Sequence, residues 1–158
     1  MVVGCPDGED EMSFTIVVGY DGSPGATAAL DEAIDLARRV SGKVTVANAY
    51  GGPRTYAGVP LTPRSALKEL GEKVLNDAIE HGRQSGVPLE PVLVNDSVAP
   101  GLLEVAHERD ADLIVVGTHG ESQLSGMLLG STAYRLVHLS TRPVMVVPAP
   151  KERVQRAA

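Results

Sequence analysis

Two short stretches of the chain gather residue types able to contact a ligand. One is Asp21-Gly22-Ser23, a carboxylate next to a glycine and a hydroxyl suited to capping a helix. The other is Gly117-Thr118-His119-Gly120, followed by Gly126 and by Gly130-Ser131-Thr132. Glycine tolerates positive φ and carries no Cβ, so the backbone N–H groups around it can approach an anion closely. Gly130-Ser131 also opens a helical pattern, and the free N–H groups and positive dipole end of a helix N-terminus attract phosphate. The pattern is neither a Walker loop nor a G-x-G-x-x-G fingerprint, because no Gly-Lys-Ser/Thr follows and the spacing differs. His119 stands inside the glycine loop, within reach of a phosphate, whereas His81, His107 and His138 fall in helical stretches and read as solvated or packed. No His/Cys/Asp/Glu group has the spacing of metal ligands, so any Mg²⁺ would ride on the phosphates. No Ser-His-Asp order or nucleophile elbow surrounds a strand end. Slow hydrolysis through His119 and autophosphorylation at Ser131 are the enzymatic readings left, and the site reads as binding rather than turnover.

Elements of two kinds must position these stretches. Phe14-Thr15-Ile16-Val17-Val18 is a β-branched run bounded by Gly19 and Asp21-Gly22. Ser23-Pro24 then supplies a capping residue and a proline at the first helical position. Ala26, Leu30, Ala33, Ile34, Ala37 and Val40 follow at spacings of three and four residues, one face of a helix that Gly42 closes. Lys43–Tyr50 is strand-like, and Gly51–Thr62, rich in Gly and Pro, predicts a loop of about a dozen residues, long for a connection. Thr62-Pro63 repeats the cap-then-proline signal before a helix carrying Leu67, Leu70, Val74, Ala78 and Ile79 and closing near Ser85-Gly86. Pro91–Val94 is a strand whose proline suits an edge position. A turn over Asn95–Pro100 leads into a short helix with Leu102, Leu103, Val105 and Ala106. Leu113-Ile114-Val115-Val116-Gly117 is uninterrupted and apolar, as a central parallel strand buried on both faces must be. Ser131–Leu139 reads as the last helix and Pro143–Val147 as the last strand. Strands alternating with helices predict an α/β fold with a parallel sheet and helices on both faces. In such sheets ligands bind beyond the carboxyl ends of the strands, which is where both stretches fall.

Composition sets the bounds. The 158 residues, 43% apolar and 22% charged, suit one globular domain. No apolar run approaches the roughly 18 residues of a membrane span. A net charge of −6 opposes nucleic-acid binding, and 3% aromatics leave no platform for stacking bases. The single cysteine, Cys5, requires no oxidising compartment, so the chain reads as an acidic cytoplasmic domain. Residues 1–12 read as a flexible leader, 13–148 as the domain and 149–158 as a polar tail; Met12 leaves the natural start open.

Gly117-x-x-Gly120, nine residues and then Gly130-Ser131 resembles the nucleotide-binding pattern of the universal stress protein family. The Val17–Ser23 opening, the Asp112–Gly117 strand and the terminal Arg142–Val147 strand are similar to it as well, so the likeness runs from about Ser13 to Pro148. The resemblance implies a Rossmann-like open five-stranded parallel sheet of order 3-2-1-4-5, adenine nucleotide (ATP first) as ligand, and a stress-response sensor or regulator. It implies homodimers through the last strand, residues 143–147, which as an uncharged apolar edge invites pairing. Carried over by position, Gly19 belongs to the opening motif, Asp21 matches a ribose ligand and Ala49 the adenine contact. Val116, Gly117, His119 and Gly120 match the ribose and phosphate turn, and Gly130, Ser131 and Thr132 the phosphate-cradling helix start. One departure stands out: Glu121–Leu129 contains no Lys or Arg. Each charge-assisted hydrogen bond lost this way weakens anion binding by about 1.5–3 kcal/mol, so adenosine or AMP gains on the triphosphate.

Plainer readings stand beside these. Asp21 could simply cap the helix that follows it. A nucleotide-free dimeric scaffold would keep the same fold. A phospho-receiver domain would use Asp96 as acceptor, Asp21 as a metal ligand, Thr118 and Lys151. Against it, only one acidic residue follows the first strand and Lys151 lies beyond Pro148 and Pro150.

Overall fold

The computed structural model describes residues 13–52, 55–60, 62–119 and 129–150. Its elements run β1 (Thr15–Gly19), α1 (Pro24–Val40), β2 (Lys43–Ala49), β3 (Thr55–Tyr56), β4 (Val59–Pro60), α2 (Arg64–Gly82), β5 (Leu89–Val94), α3 (Val98–Glu108), β6 (Leu113–Gly117), α4 (Ser131–Leu139) and β7 (Val144–Val147). A short 3₁₀ turn over Arg83–Ser85 closes α2. Five strands pair in parallel in the order β5-β2-β1-β6-β7, which is 3-2-1-4-5 when only this sheet is counted.

Alternation along the strands divides the core in two. Ile16, Val18, Val44, Val46, Leu113 and Val115 point to the face covered by α1 and α2, where Leu30, Ile34, Leu75 and Ala78 meet them. Val17, Ala47, Ile114 and Val116 point to the opposite face, against Leu102, Val105, Ala106 and Leu136 of α3 and α4. The central strands are thus buried on both sides, which is why β6 reads as a continuous apolar run. Val40, at the end of the α1 stripe, is 42% exposed and leaves it.

The structure departs from the sequence reading between β2 and α2. The expected loop contains an antiparallel hairpin, with Thr55 opposite Pro60 and Tyr56 opposite Val59. Its two central residues, Ala57 and Gly58, both have positive φ (49° and 81°), as a two-residue hairpin turn of this hand requires. Asparagine would have announced that turn; alanine does not. Thr62 caps nothing, for α2 starts after Pro63 without a side-chain cap.

The two edges of the sheet differ. In a parallel ladder, alternate residues of an edge strand turn their N–H and C=O groups away from the neighbour. Val44 and Tyr50 donate to the carbonyls of Pro88 and Val94, so Leu89, Pro91 and Leu93 face outward on β5. Pro91 therefore lacks its N–H where no ladder bond is lost. On β7, Ile114 and Thr118 donate to Pro143 and Val147, which turns Val144 and Val146 outward.

Leu30 is fully buried at the centre of the α1 face. Leu30→Ala is expected to lower the unfolding free energy by about 2–5 kcal/mol, read from the urea midpoint with an unchanged denaturant slope.

Candidate functional site

A cleft of about 510 Å³ opens at the carboxyl ends of the strands, bounded by the segments after β1, β2 and β6 and by the starts of α3 and α4. Its β1 side is set by a tight turn. Tyr20 continues the ladder by donating its N–H to Ala47 at 2.9 Å, and Asp21 Oδ1 then accepts the N–H of Ser23 at 2.9 Å. Gly22, at φ 83°, makes the turn that follows. The hydroxyl of Ser23 accepts the N–H of Ala26 at 3.2 Å, so Ser23 and not Asp21 caps α1. The reading of Asp21 as the helix cap is thereby corrected. Its carboxylate braces the turn and lines the cleft.

The β6 side is built by close backbone packing. A methyl group at Gly117 would come within 2.7 Å of the Gly25 carbonyl carbon, and one at Gly130 within 2.8 Å of the Thr118 oxygen. Neither glycine has positive φ. Positive φ is not used at either position; close contact between segments excludes a side chain there. Thr118 donates both its N–H (2.9 Å) and its hydroxyl (3.0 Å) to the Val147 carbonyl and accepts the N–H of Gly130 at 2.7 Å. This ties the end of β7, the glycine loop and the start of α4 into one unit. Helix α4 begins at Ser131 with no side-chain cap, and Ser131, Thr132 and Ala133 face the cleft. Orphan N–H groups of a first helical turn are donors for an anion.

Of the residues singled out in the sequence, Asp21, Ala49, Gly117, Gly130, Ser131 and Thr132 come together on the cleft wall. Gly19 and Val116 do not reach it. Val116 is 4% exposed, and a methyl at Gly19 would lie 2.8 Å from Leu102 and 3.1 Å from Val116, so both belong to the packing beneath. His119 ends the described part of its loop, with its carbonyl against Gly25. Gly120 lies outside the described residues. Sequence reasoning missed the apolar wall formed by Leu67, Leu70 and Val74 of α2 with Val98 of α3. Periodicity marked the α2 residues as one face of a helix, and Leu70 on that face is 57% exposed; spacing finds an apolar face without telling a core from a cleft. Asn48 and Tyr50 were missed because nothing local marks them.

Asp21 is the one charged residue among the described residues lining the cleft, and no Lys or Arg joins it there. No group of three metal-ligating side chains occurs among the described residues. The phospho-receiver alternative also fails on topology. The receiver order, 2-1-3-4-5, sets the third strand beside the first. Here β5 is separated from β1 by β2, which places Asp96 at the sheet edge, where its carboxylate accepts the N–H of Ser97 at 2.6 Å.

The sequence profile described as the universal stress protein family matches residues 12–148. Universal stress protein YxiE of Bacillus subtilis is 32% identical over 143 residues, spanning 84% of this chain and 97% of that relative. Among solved structures, a universal stress protein in complex with cAMP superposes with a TM-score of 0.66 at 27% identity, over 87% of this chain and 98% of its own. The universal stress protein from Archaeoglobus fulgidus in complex with dAMP gives 0.67 at 25% identity, over 85% of this chain and 97% of its own. With a five-stranded parallel sheet of the expected order and a sequence matched over almost its whole length, the chain belongs to the universal stress protein family.

Proposed function

We propose that the protein binds an adenine nucleotide in this cleft and acts as a cytoplasmic stress-response regulator, not as a turnover enzyme. The observation that carries the reading is the mixed lining of the cleft: Leu67, Leu70, Val74 and Val98 give it apolar surface suited to a flat base, and the uncapped start of α4 with Gly117 and Thr118 gives it donors suited to phosphate. The relatives crystallised with cAMP and dAMP support the same class of ligand. In this reading Ala49 meets the base and Asp21 holds ribose hydroxyls. Gly117, His119 and Gly120 form the turn around ribose and phosphate, and Gly130, Ser131 and Thr132 cradle the phosphate. Gly19 and Val116 support that wall from beneath.

Charge favours the monophosphate over ATP. Backbone N–H groups can satisfy one phosphate, but a triphosphate would meet Asp21 and no cation among the described lining residues. Mg²⁺, if carried, would travel with ATP. Calorimetry is expected to show AMP binding at least as tightly as ATP; no heat with either nucleotide would overturn the reading.

The ribose role of Asp21 separates from its structural one by choice of ligand. Asp21→Ala is expected to weaken AMP by about 1.5–3 kcal/mol, the cost of one hydrogen bond to a charged group, and 2′-deoxy-AMP by less. An equal loss for both nucleotides would mean that only the Ser23 turn had been disturbed.

The proposal extends to a homodimer through β7. Val144 and Val146 present outward N–H and C=O groups, and a two-fold axis at Met145 would let each Val144 exchange both bonds with the other chain's Val146. Val146→Pro removes an outward N–H and leaves the β6 ladder intact. Sedimentation is expected to show a dimer for the unaltered protein and a monomer for the variant.

A further inference from the structure

Asn48 stands at the end of β2, where the ladder between β1 and β2 stops. The last rung pairs Gly19 with Ala47, and Tyr20 donates its N–H to the Ala47 carbonyl. By the alternation of a parallel ladder, the next bond would run from the Ala49 N–H to the Tyr20 carbonyl. That carbonyl is instead occupied by the side-chain amide of Asn48, whose Nδ2 donates to it at 2.7 Å. Neither the N–H nor the carbonyl of Ala49 has a hydrogen bond to a described residue, and Ala49 lines the cleft. Helix α2 has room for this arrangement only because residue 71 is glycine: a methyl there would come within 2.7 Å of Asn48 Oδ1.

We propose that Asn48 is a positioning residue for base recognition: its amide takes the place of the Ala49 N–H on the Tyr20 carbonyl and so keeps the Ala49 peptide open as a donor and acceptor pair. The role rests on the reading of the cleft as an adenine site. An N–H beside a C=O matches the edge of adenine, which offers a ring nitrogen acceptor next to an amino donor. It mismatches hypoxanthine, whose edge presents the reverse order. Asn48 never needs to touch the ligand, since it acts through Ala49.

Two measurements test this on the full chain, using Asn48→Ala and Asn48→Leu. Leucine keeps the volume against Gly71 but donates nothing, so a purely packing role would survive it. In the ligand-free protein, the Ala49 amide is expected to exchange with solvent freely. In both variants it should become protected by about tenfold or more as it takes over the Tyr20 carbonyl. An Ala49 amide already as protected as that of Ala47 in the unaltered protein would overturn the proposal. By calorimetry, the unaltered protein is expected to prefer AMP to inosine monophosphate, and both variants to lose that preference with their affinity for inosine monophosphate unchanged. Preference for AMP surviving in Asn48→Leu would also overturn it. If the unaltered protein bound neither nucleotide, the adenine reading would fall and the base-recognition role with it, while the exchange result would still decide whether Asn48 holds the Tyr20 carbonyl in place of Ala49.

Discussion

The contact of Gly117 with the backbone of Gly25 is the constraint on which the cleft depends. It sets the end of the central strand β6 directly against the first turn of α1, with no side chain between them. From there the order propagates by hydrogen bonds. Thr118, the next residue, is fixed to β7 through Val147 and holds Gly130 through its own carbonyl. Helix α4 therefore starts where the β6 loop dictates. A side chain of any size at Gly117 would part these segments, and the N–H groups of α4 would no longer share a wall with Asp21.

The fold was largely legible in the sequence, because the strongest signals come from burial. The unbroken apolar run Leu113–Gly117 could only be a strand covered on both faces, and the α1 stripe from Ala26 to Ala37 matches the buried face closely. What failed to show were features whose cause lies elsewhere in the chain. The hairpin at Thr55–Pro60 turns on an alanine at positive φ, which local preference disfavours. Leu67, Leu70 and Val74 carry an ordinary helical period, and only the tertiary arrangement leaves Leu70 facing a cavity. Gly117 and Gly130 line the cleft, and what excludes a side chain at them is packing against Gly25 and Thr118, which no spacing rule contains.

Asn48 shows how a single side chain can end a ladder without disordering it. A strand pair normally stops where the chains diverge. Here the Tyr20 carbonyl stays satisfied while the neighbouring peptide is released. A polar group left open at the mouth of a cleft costs little as long as water reaches it, and it becomes costly only when a ligand without matching groups excludes that water. Selectivity of this kind comes from the penalty on mismatched ligands as much as from attraction to matched ones.

Pro91 has a consequence for assembly. Strand edges that stick on both sides of a sheet can join head to tail without limit and grow into fibres. In this sheet the β5 rim has lost a central donor at Pro91, while the β7 rim keeps those of Val144 and Val146. A molecule with one competent rim can saturate it only once. Pairing of β7 as proposed would leave no second rim of equal competence, and the residue that costs the ladder nothing would weigh against filament growth from the opposite side.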